Sequence, residues 1–157
     1  MNLHATPRFR LSSRILPRRA ALAAATLVAA AGCATFGRSS AGSLENRDWR
    51  LVELRGQPAV PSSGMRAAQL RFNSDSMRVT GSGGCNRIAG SYARDGEALS
   101  FGPILSTKMA CADPRLNRQE TDFLTALQAT NRYEIRRDTL VLQRDGERLA
   151  RLVDTPR

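Results

Sequence analysis

Ser106 and Lys108 are the two residues whose types and spacing best fit catalysis. A serine and a lysine two positions apart share one face of a β-strand. Ser-Lys dyads work only when the lysine pKa is lowered and two further donors can bind an oxyanion. The surrounding sequence supplies neither, so we predict no catalytic residue. Lys108, the only lysine in the chain, is interpreted as a structural or binding residue.

Glu120 is the predicted partner of this lysine. It lies four residues after Leu116 and three before Phe123, on the apolar stripe of a predicted helix. A carboxylate on that stripe needs a partner, because burying an unpaired charge is very costly. We therefore hypothesise a structural ion pair between Lys108 and Glu120. The alternative is that Glu120 reaches solvent at the edge of the stripe.

The glycine-rich segment 81–90 has the composition of a phosphate-binding loop but not its pattern. A P-loop continues into Lys-Ser/Thr and a helix, whereas here Asn86 and Arg87 are followed by a predicted strand. The glycines are better explained by a bulge or a close crossing of the chain. Gly84, Asn86 and Arg87 are retained as a candidate binding loop.

The first 32 residues have the pattern of a secretory signal. Five arginines and no acidic residue lie there, followed by the twelve residues 20–31, which are apolar except for Thr26. This run is shorter than the roughly 20 residues of a membrane-spanning helix. It ends in Ala30-Ala31-Gly32-Cys33, which resembles the lipobox of bacterial lipoproteins. That resemblance implies cleavage before Cys33 and a lipid on its thiol; the alternative is an ordinary signal peptide with Cys33 incidental.

The signal defines the predicted domain organisation. Residues 1–32 are the signal peptide, 33–47 the lipidated cysteine with a flexible Ser/Gly-rich tether, and 48–154 the folded domain. Ala34 stands where an aspartate would favour the inner membrane, so we expect an outer-membrane anchor with the domain facing the periplasm. Export by the Sec or the twin-arginine route is left open.

Removal of the signal changes which chemistry is available. His4 is the only histidine, so the mature chain would have none, which excludes Ser-His-Asp and Cys-His catalysis and histidine-dependent zinc sites. Cys85 and Cys111 would remain as an even pair in an oxidising compartment, where a disulfide is favoured. The alternative is two buried free thiols. We expect no metal and no cofactor.

Charge argues against a nucleic-acid partner. The predicted mature chain has 19 Lys and Arg residues against 14 Asp and Glu residues, a net charge of +5. Its arginines are scattered among acids instead of clustering with aromatic residues. The expected contacts are the membrane, through the lipid on Cys33, and an envelope protein.

The periodicity of the chain predicts a mainly β fold with one helix. Alternating apolar residues mark short strands, and Asp95-Gly96 predicts a tight hairpin. Asp113 and Pro114 form a helix start, and the apolar stripe runs to about Thr130. Short antiparallel strands of this kind close into a small β-barrel or half-barrel, here packed against a single amphipathic helix.

Three sequence blocks carry a resemblance to a known family. They are Trp49-Arg50-Leu51, Gly84-Cys85-Asn86-Arg87 and Ser106-Thr107-Lys108-Met109-Ala110-Cys111. Together they resemble the META domain, also called the HslJ family, over about residues 48–153. The resemblance implies a barrel-like fold with one helix, an envelope location and a link to stress or secretion. It implies no reaction.

These observations predict a non-enzymatic cell-envelope lipoprotein that acts as a binding module in envelope stress or integrity. Two alternatives have different signatures. A lysozyme or hydrolase inhibitor would use an exposed loop as its plug, and the loop from Gly81 to Asn86 is the candidate. A carrier of a small hydrophobic ligand would need an internal cavity of several hundred Å³.

Overall fold

The computed structural model describes residues 42–62, 67–109 and 111–155. The predicted signal peptide and Cys33 lie outside the described residues. No helix in the described part of the chain is long and apolar enough to cross a membrane.

Ten strands and one helix make up the described fold. In chain order they are β1 (Asp48–Leu54), β2 (Gln57–Pro58), β3 (Gln69–Asn73), β4 (Arg78–Ser82), β5 (Arg87–Asp95), β6 (Ala98–Phe101), β7 (Leu105–Ser106), α1 (Pro114–Ala129), β8 (Arg132–Arg136), β9 (Thr139–Arg144) and β10 (Glu147–Asp154). The helix begins and ends where the sequence predicts: Asp113 caps Arg115 N–H, Pro114 occupies the first turn, and Thr130 is the C-cap.

Eight of the strands close into an antiparallel barrel, which confirms the predicted fold class. The order around the barrel is β10-β9-β8-β6-β5-β4-β3-β1, and β1 pairs back to β10. Leu51 lies opposite Leu152 at this closure. β2 extends one edge beside β1, and β7 pairs with the first part of β5. Closure leaves the main strands without a free edge, which removes the usual route to edge-to-edge aggregation.

Side chains from the strands and the helix fill the barrel with a single hydrophobic core. Trp49, Phe72 and Phe123 are fully buried, together with leucines from β3, β6, β9 and β10. The helix contributes Phe123, Ala126 and Leu127 from one face. Phe72 meets Tyr92 edge to face, with ring centroids 5.1 Å apart. The aromatic residues thus serve as core.

The segment preceding β1 is packed onto the domain, although the sequence assigned residues 33–47 to a flexible tether. Leu44 is buried in the core, and its carbonyl accepts a hydrogen bond from Trp49 Nε1 at 2.8 Å. Asn46 N–H donates to the Phe72 carbonyl at 3.0 Å. The folded part therefore begins by about residue 42, because Leu44 buries an apolar side chain that a tether would leave in water.

Glu45 fixes this N-terminal segment (residues 42–47) through a buried carboxylate. Its Oε1 accepts hydrogen bonds from Arg94 Nε and from the Tyr92 hydroxyl, the latter at 3.3 Å. Burial alone raises the pKa of Glu45, but hydrogen bonds from Arg94 and Ser43 outweigh it, so the pKa lies below its usual 4.5. Burial and the neighbouring Glu45 charge raise the pKa of Tyr92.

Strand directions place two sets of connections at opposite ends of the barrel. Asp48, which follows the N-terminal segment, pairs with Arg71 near the end of β3, so the β3–β4 turn lies at the same end. We call this the N-terminal end. The turn after Leu54 and the loop 83–86 after Ser82 lie at the other end, which we call the disulfide end.

Candidate functional site

Two loops and the first half of the helix meet at the disulfide end. The loop 83–86 joins β4 to β5, and residues 107–113 join β7 to α1. Cys85 and Cys111 are bonded across them, with S–S 2.02 Å and Cα atoms 5.8 Å apart. The predicted disulfide is therefore present. It ties the loop ahead of β5 to the residues that lead into the helix.

Glu120 reaches back from the helix and holds the loop 83–86 from the inside. Its Oε2 accepts hydrogen bonds from the backbone N–H groups of Asn86 at 2.8 Å and Cys85 at 3.2 Å. Its Oε1 accepts from Asn86 Nδ2 at 2.7 Å and from Ser106 Oγ at 3.3 Å. Only 7% of Glu120 is exposed. The carboxylate is thus satisfied entirely by neutral donors.

The helix comes so close to the loop that residue 83 must be glycine. A Cβ added at Gly83 would lie 2.4 Å from Glu120 Cγ and 2.6 Å from Glu120 Oε2. The adjacent Gly84 has a φ of +119°, a backbone conformation that side-chain-bearing residues rarely adopt. The prediction that these glycines allow a close crossing of the chain is confirmed.

The side-chain amide of Asn86 also binds the second loop, residues 107–113. Its Oδ1 accepts from Thr107 Oγ1 at 2.9 Å and from Met109 N–H at 2.5 Å, while Nδ2 also donates to the Met109 carbonyl at 3.1 Å. The buried Asn86 amide therefore binds both the N–H and the carbonyl of Met109, as a backbone partner would. Glu120 and Asn86 together connect the helix and both loops.

The hypothesised ion pair between Lys108 and Glu120 does not form. None of the ion pairs among the described residues involves either side chain. Lys108 is exposed, with a left-handed φ of +53°. Glu120 is buried, so it does not reach solvent either. The prediction was wrong because nearby backbone N–H groups and the Asn86 amide meet the need of the carboxylate without a counter-ion.

The candidate binding loop divides into structural and exposed residues. Gly84 and Asn86 are buried, and Gly84 N–H donates to Ser82 Oγ at 3.1 Å. Arg87 alone among the three presents its side chain to solvent. Ser106 donates its hydroxyl to Glu120 and so belongs to the buried network.

An exposed surface lies directly over this buried network. Leu105 is 71% exposed and Met109 is 53% exposed, and the two flank the exposed Lys108. Arg87 lies beside them, since its carbonyl accepts a hydrogen bond from Thr107 N–H at 3.2 Å. An open cleft of about 370 Å³ runs between Leu105 and Arg87. We call these four residues, Arg87, Leu105, Lys108 and Met109, the disulfide face.

The disulfide face combines positive charge with exposed apolar side chains. No group of three or more His, Cys, Asp or Glu residues among the described positions is arranged to hold a metal ion. The charged groups of the disulfide face are both cations, and its two apolar side chains are long and flexible. Such a surface suits contact with an apolar and acidic partner.

Solved structures support the same fold. An NMR structure of a protein from Burkholderia xenovorans is 25% identical, with a TM-score of 0.59 and coverage of 73% of this chain and 85% of that one. A second NMR structure is 23% identical, with a TM-score of 0.57 and coverage of 69% and 90%. A crystal structure of a DUF4847 family protein from Bacteroides vulgatus is 17% identical, with a TM-score of 0.52 and coverage of 73% and 96%.

Sequence comparison places the chain in a family. A search of curated proteins finds no relative. The profile of the META domain matches residues 42–156, which include the docked N-terminal segment, the disulfide and both loops. Because this match spans most of the chain, the protein belongs to the META domain family.

Proposed function

We propose that this protein is a non-enzymatic lipoprotein of the cell envelope whose META domain binds a periplasmic protein through the disulfide face. One observation carries the proposal. Leu105 and Met109 expose large apolar side chains on a short segment that Asn86, Glu120 and the disulfide hold in place. Its role in supporting the envelope under stress is part of the proposal and rests on the family resemblance.

The segment that carries Leu105 and Met109 is held rigidly. This rigidity favours a role of the two side chains in partner recognition over incidental exposure. Binding is stronger when the contact residues are held in place beforehand, because less conformational entropy is lost. Lys108 adopts a left-handed conformation between two residues that Asn86 binds, Thr107 and Met109. Unfavourable backbone conformations of this kind cluster at functional sites, where the surrounding structure enforces them.

The N-terminal segment and the disulfide face lie at opposite ends of the barrel, which supports a partner on the side away from the proposed anchor. Residues 34–43 would link a lipid on Cys33 to the buried Leu44, a span of at most about 35 Å when fully extended. The anchor would therefore hold the domain by its N-terminal end, and the disulfide face would point away from the membrane. This geometry suits a partner in the periplasm, and the proposed location is the outer membrane.

The packed barrel argues against the carrier alternative. Trp49, Phe72 and Phe123 occupy the interior with their neighbouring leucines, and the described clefts open to solvent. A carrier would need an enclosed cavity of several hundred Å³ instead. The inhibitor alternative predicts the loop from Gly81 to Asn86 as its plug, but most of this loop is buried. An inhibitor would therefore have to use the disulfide face.

Site-specific photo-crosslinking in intact cells tests the proposal. A photoreactive benzoylphenylalanine replaces Met109 in the full-length chain. Met77, which is 38% exposed in the turn at the N-terminal end, receives the same replacement as a control. We expect one discrete protein adduct from position 109, lost on Leu105→Asp, and no such adduct from position 77.

Each outcome has a defined consequence. The same adducts from both positions, or none from position 109, would contradict binding through the disulfide face. An adduct identified as a lysozyme would establish the inhibitor alternative. Labelling with radioactive palmitate in the same cells tests the anchor: we expect incorporation that Cys33→Ala abolishes, and persistent labelling of this variant would contradict lipidation at Cys33.

A further inference from the structure

A second surface at the disulfide end has the form of a ligand site. A cleft of about 460 Å³ lies between the turn after β1 and the first half of α1. Leu54, Pro58 and Val60 line one side, and Arg118 and Gln119 line the other. Its volume falls within the range of small-ligand sites. We call it the arginine cleft.

The two walls of the arginine cleft are joined, so its shape is fixed. Val60 N–H donates a hydrogen bond to Gln119 Oε1 at 2.5 Å. Gln119 is 7% exposed, and no buried side-chain nitrogen or oxygen among the described residues lacks a hydrogen-bond partner. The part that Gln119 plays in the cleft is therefore to hold Val60 in place.

The lining of the cleft carries more positive than negative charge. Nine arginines of the described chain form ion pairs, but Arg55 and Arg118 form none. Arg115, on the same rim, is bound to Asp113. Asp122 is the one acidic residue of the lining. Two guanidinium groups are thus available to an anion beside an apolar wall.

The helix start indicates what kind of anion this is. Phosphate sites at helix starts use free backbone N–H groups. Here Pro114 has no N–H, Arg115 N–H is bound by the Asp113 side chain at 2.9 Å, and Leu116 N–H donates to the Asp113 carbonyl at 3.0 Å. The recognition groups left are guanidinium side chains, which bind the paired oxygens of a carboxylate or a phosphate. The apolar wall beside them favours a carboxylate on a chain that also carries apolar side chains.

We propose that the arginine cleft binds an acidic peptide. Arg55 and Arg118 hold a carboxylate, and Leu54, Pro58 and Val60 contact an adjacent apolar side chain. This site is separate from the disulfide face and does not depend on the partner proposed there. It lies at the same end of the barrel, facing away from the N-terminal segment.

Fluorescence anisotropy with the full processed protein, purified in detergent, tests the site. The probe is a dye-labelled peptide, Leu-Glu-Leu-Glu, and the matched neutral peptide is Leu-Gln-Leu-Gln with an amidated end. We expect saturable binding of the acidic peptide and affinity at least about tenfold weaker for the neutral one, since each tenfold is about 1.4 kcal/mol.

Two double variants with the same change in charge separate a site from general attraction. R55Q/R118Q removes the two cleft arginines, whereas R78Q/R137Q removes two exposed arginines at the other end of the barrel. We expect affinity for the acidic peptide to fall about tenfold in the first and less than about twofold in the second. Thermal unfolding checks that both variants remain folded.

Three results would overturn the proposal. The first is the absence of saturable binding, and the second is an equal loss of affinity in both double variants, which would indicate diffuse charge attraction. The third is full displacement of the peptide by inorganic phosphate at similar concentration, which would identify a phosphate site. None of these results bears on crosslinking at position 109, so the two proposals fail separately.

Discussion

Glu45 and Glu120 are two buried carboxylates at opposite ends of one barrel, and each is 7% exposed. Glu45 is satisfied by a charged partner, Arg94, with help from Tyr92 and Ser43. Glu120 is satisfied by neutral donors from Cys85, Asn86 and Ser106. Two equally buried carboxylates are thus stabilised in different ways, and the two arrangements contribute differently to the stability of the fold.

The difference lies in what each carboxylate connects. Glu45 fastens the N-terminal segment to β5 through an ion pair whose arginine is 41% exposed. Its contribution therefore depends on pH and is weakened by solvent screening. The Glu120 carboxylate accepts the hydrogen bonds that join α1 to the loop 83–86, so its removal leaves buried donors without acceptors. Loss of a buried acceptor is generally the more costly of the two.

Replacing Glu120 is expected to cause the largest effect. Each oxygen of the Glu120 carboxylate accepts two hydrogen bonds. In E120Q the side-chain NH₂ group must face one of these pairs of donors, whichever way the amide turns. Two unsatisfied donors at about 1–3 kcal/mol each give a loss of about 4 kcal/mol in the free energy of unfolding. Urea unfolding measures it. E97Q, which removes an exposed ion pair with Arg132, is the control and should cost about 0.5 kcal/mol or less. Equal losses in the two variants would refute the central role of Glu120.

Removing the disulfide tests whether Asn86 and Glu120 hold the two loops without it. The bond joins residues that lie 26 positions apart in the chain. For a loop of this size the chain-entropy model gives a stabilisation of about 3 kcal/mol. We expect C85A/C111A to lose about that much stability while the loops keep their arrangement, because Asn86 still binds Thr107 and Met109. Amide hydrogen exchange at Met109 is the direct measurement. Exchange at the rate of an unstructured peptide would show that the disulfide alone organises the disulfide face.

The smallest of the three effects is expected at Glu45, and it depends on pH. The pKa of Glu45 is lowered in the folded protein, so its contribution is fully present above the usual 4.5 and is lost as pH falls through the folded value. E45Q should cost about 2 kcal/mol at pH 7, since hydrogen bonds to charged groups are worth about 1.5–3 kcal/mol. The difference in unfolding free energy from the unchanged protein should shrink below pH 4.5. A difference that stays constant from pH 7 to about pH 3 would contradict the ion-pair role.

Much of the fold was predictable because its signals are local. The limits of α1 follow from Asp113, Pro114 and the spacing of apolar residues, all within sixteen positions of one another. The hairpin between β5 and β6 was predicted from Asp95-Gly96, but its two loop residues are Gly96 and Glu97, and Gly96 supplies the positive φ of +55°. The disulfide followed from the count of cysteines and the predicted compartment. Helix propensity and turn chemistry depend on neighbouring residues, and cysteines can simply be counted. None of these signals requires knowledge of the tertiary structure.

The partners of the buried carboxylates were not predictable, for a physical reason. Glu120 and Asn86 are 34 residues apart, and Glu45 and Arg94 are 49 apart, so no periodic pattern links them. The sequence identified Glu120 as a carboxylate that needed a partner, but residue types alone suggested a cation, Lys108, in place of neutral donors. Backbone N–H groups carry no sequence signal, and they supply half of its hydrogen bonds.

The sequence by itself therefore determined the strands, the helix, the paired cysteines and the family resemblance. Only the tertiary structure decided that Leu44 belongs to the core, that β1 closes on β10, and that Leu105 and Met109 remain exposed over a buried polar network. Hydrophobic burial and hydrogen-bond satisfaction are settled between segments that are distant in the chain. They depend on which backbone groups the closed barrel brings together, and residue type does not encode that.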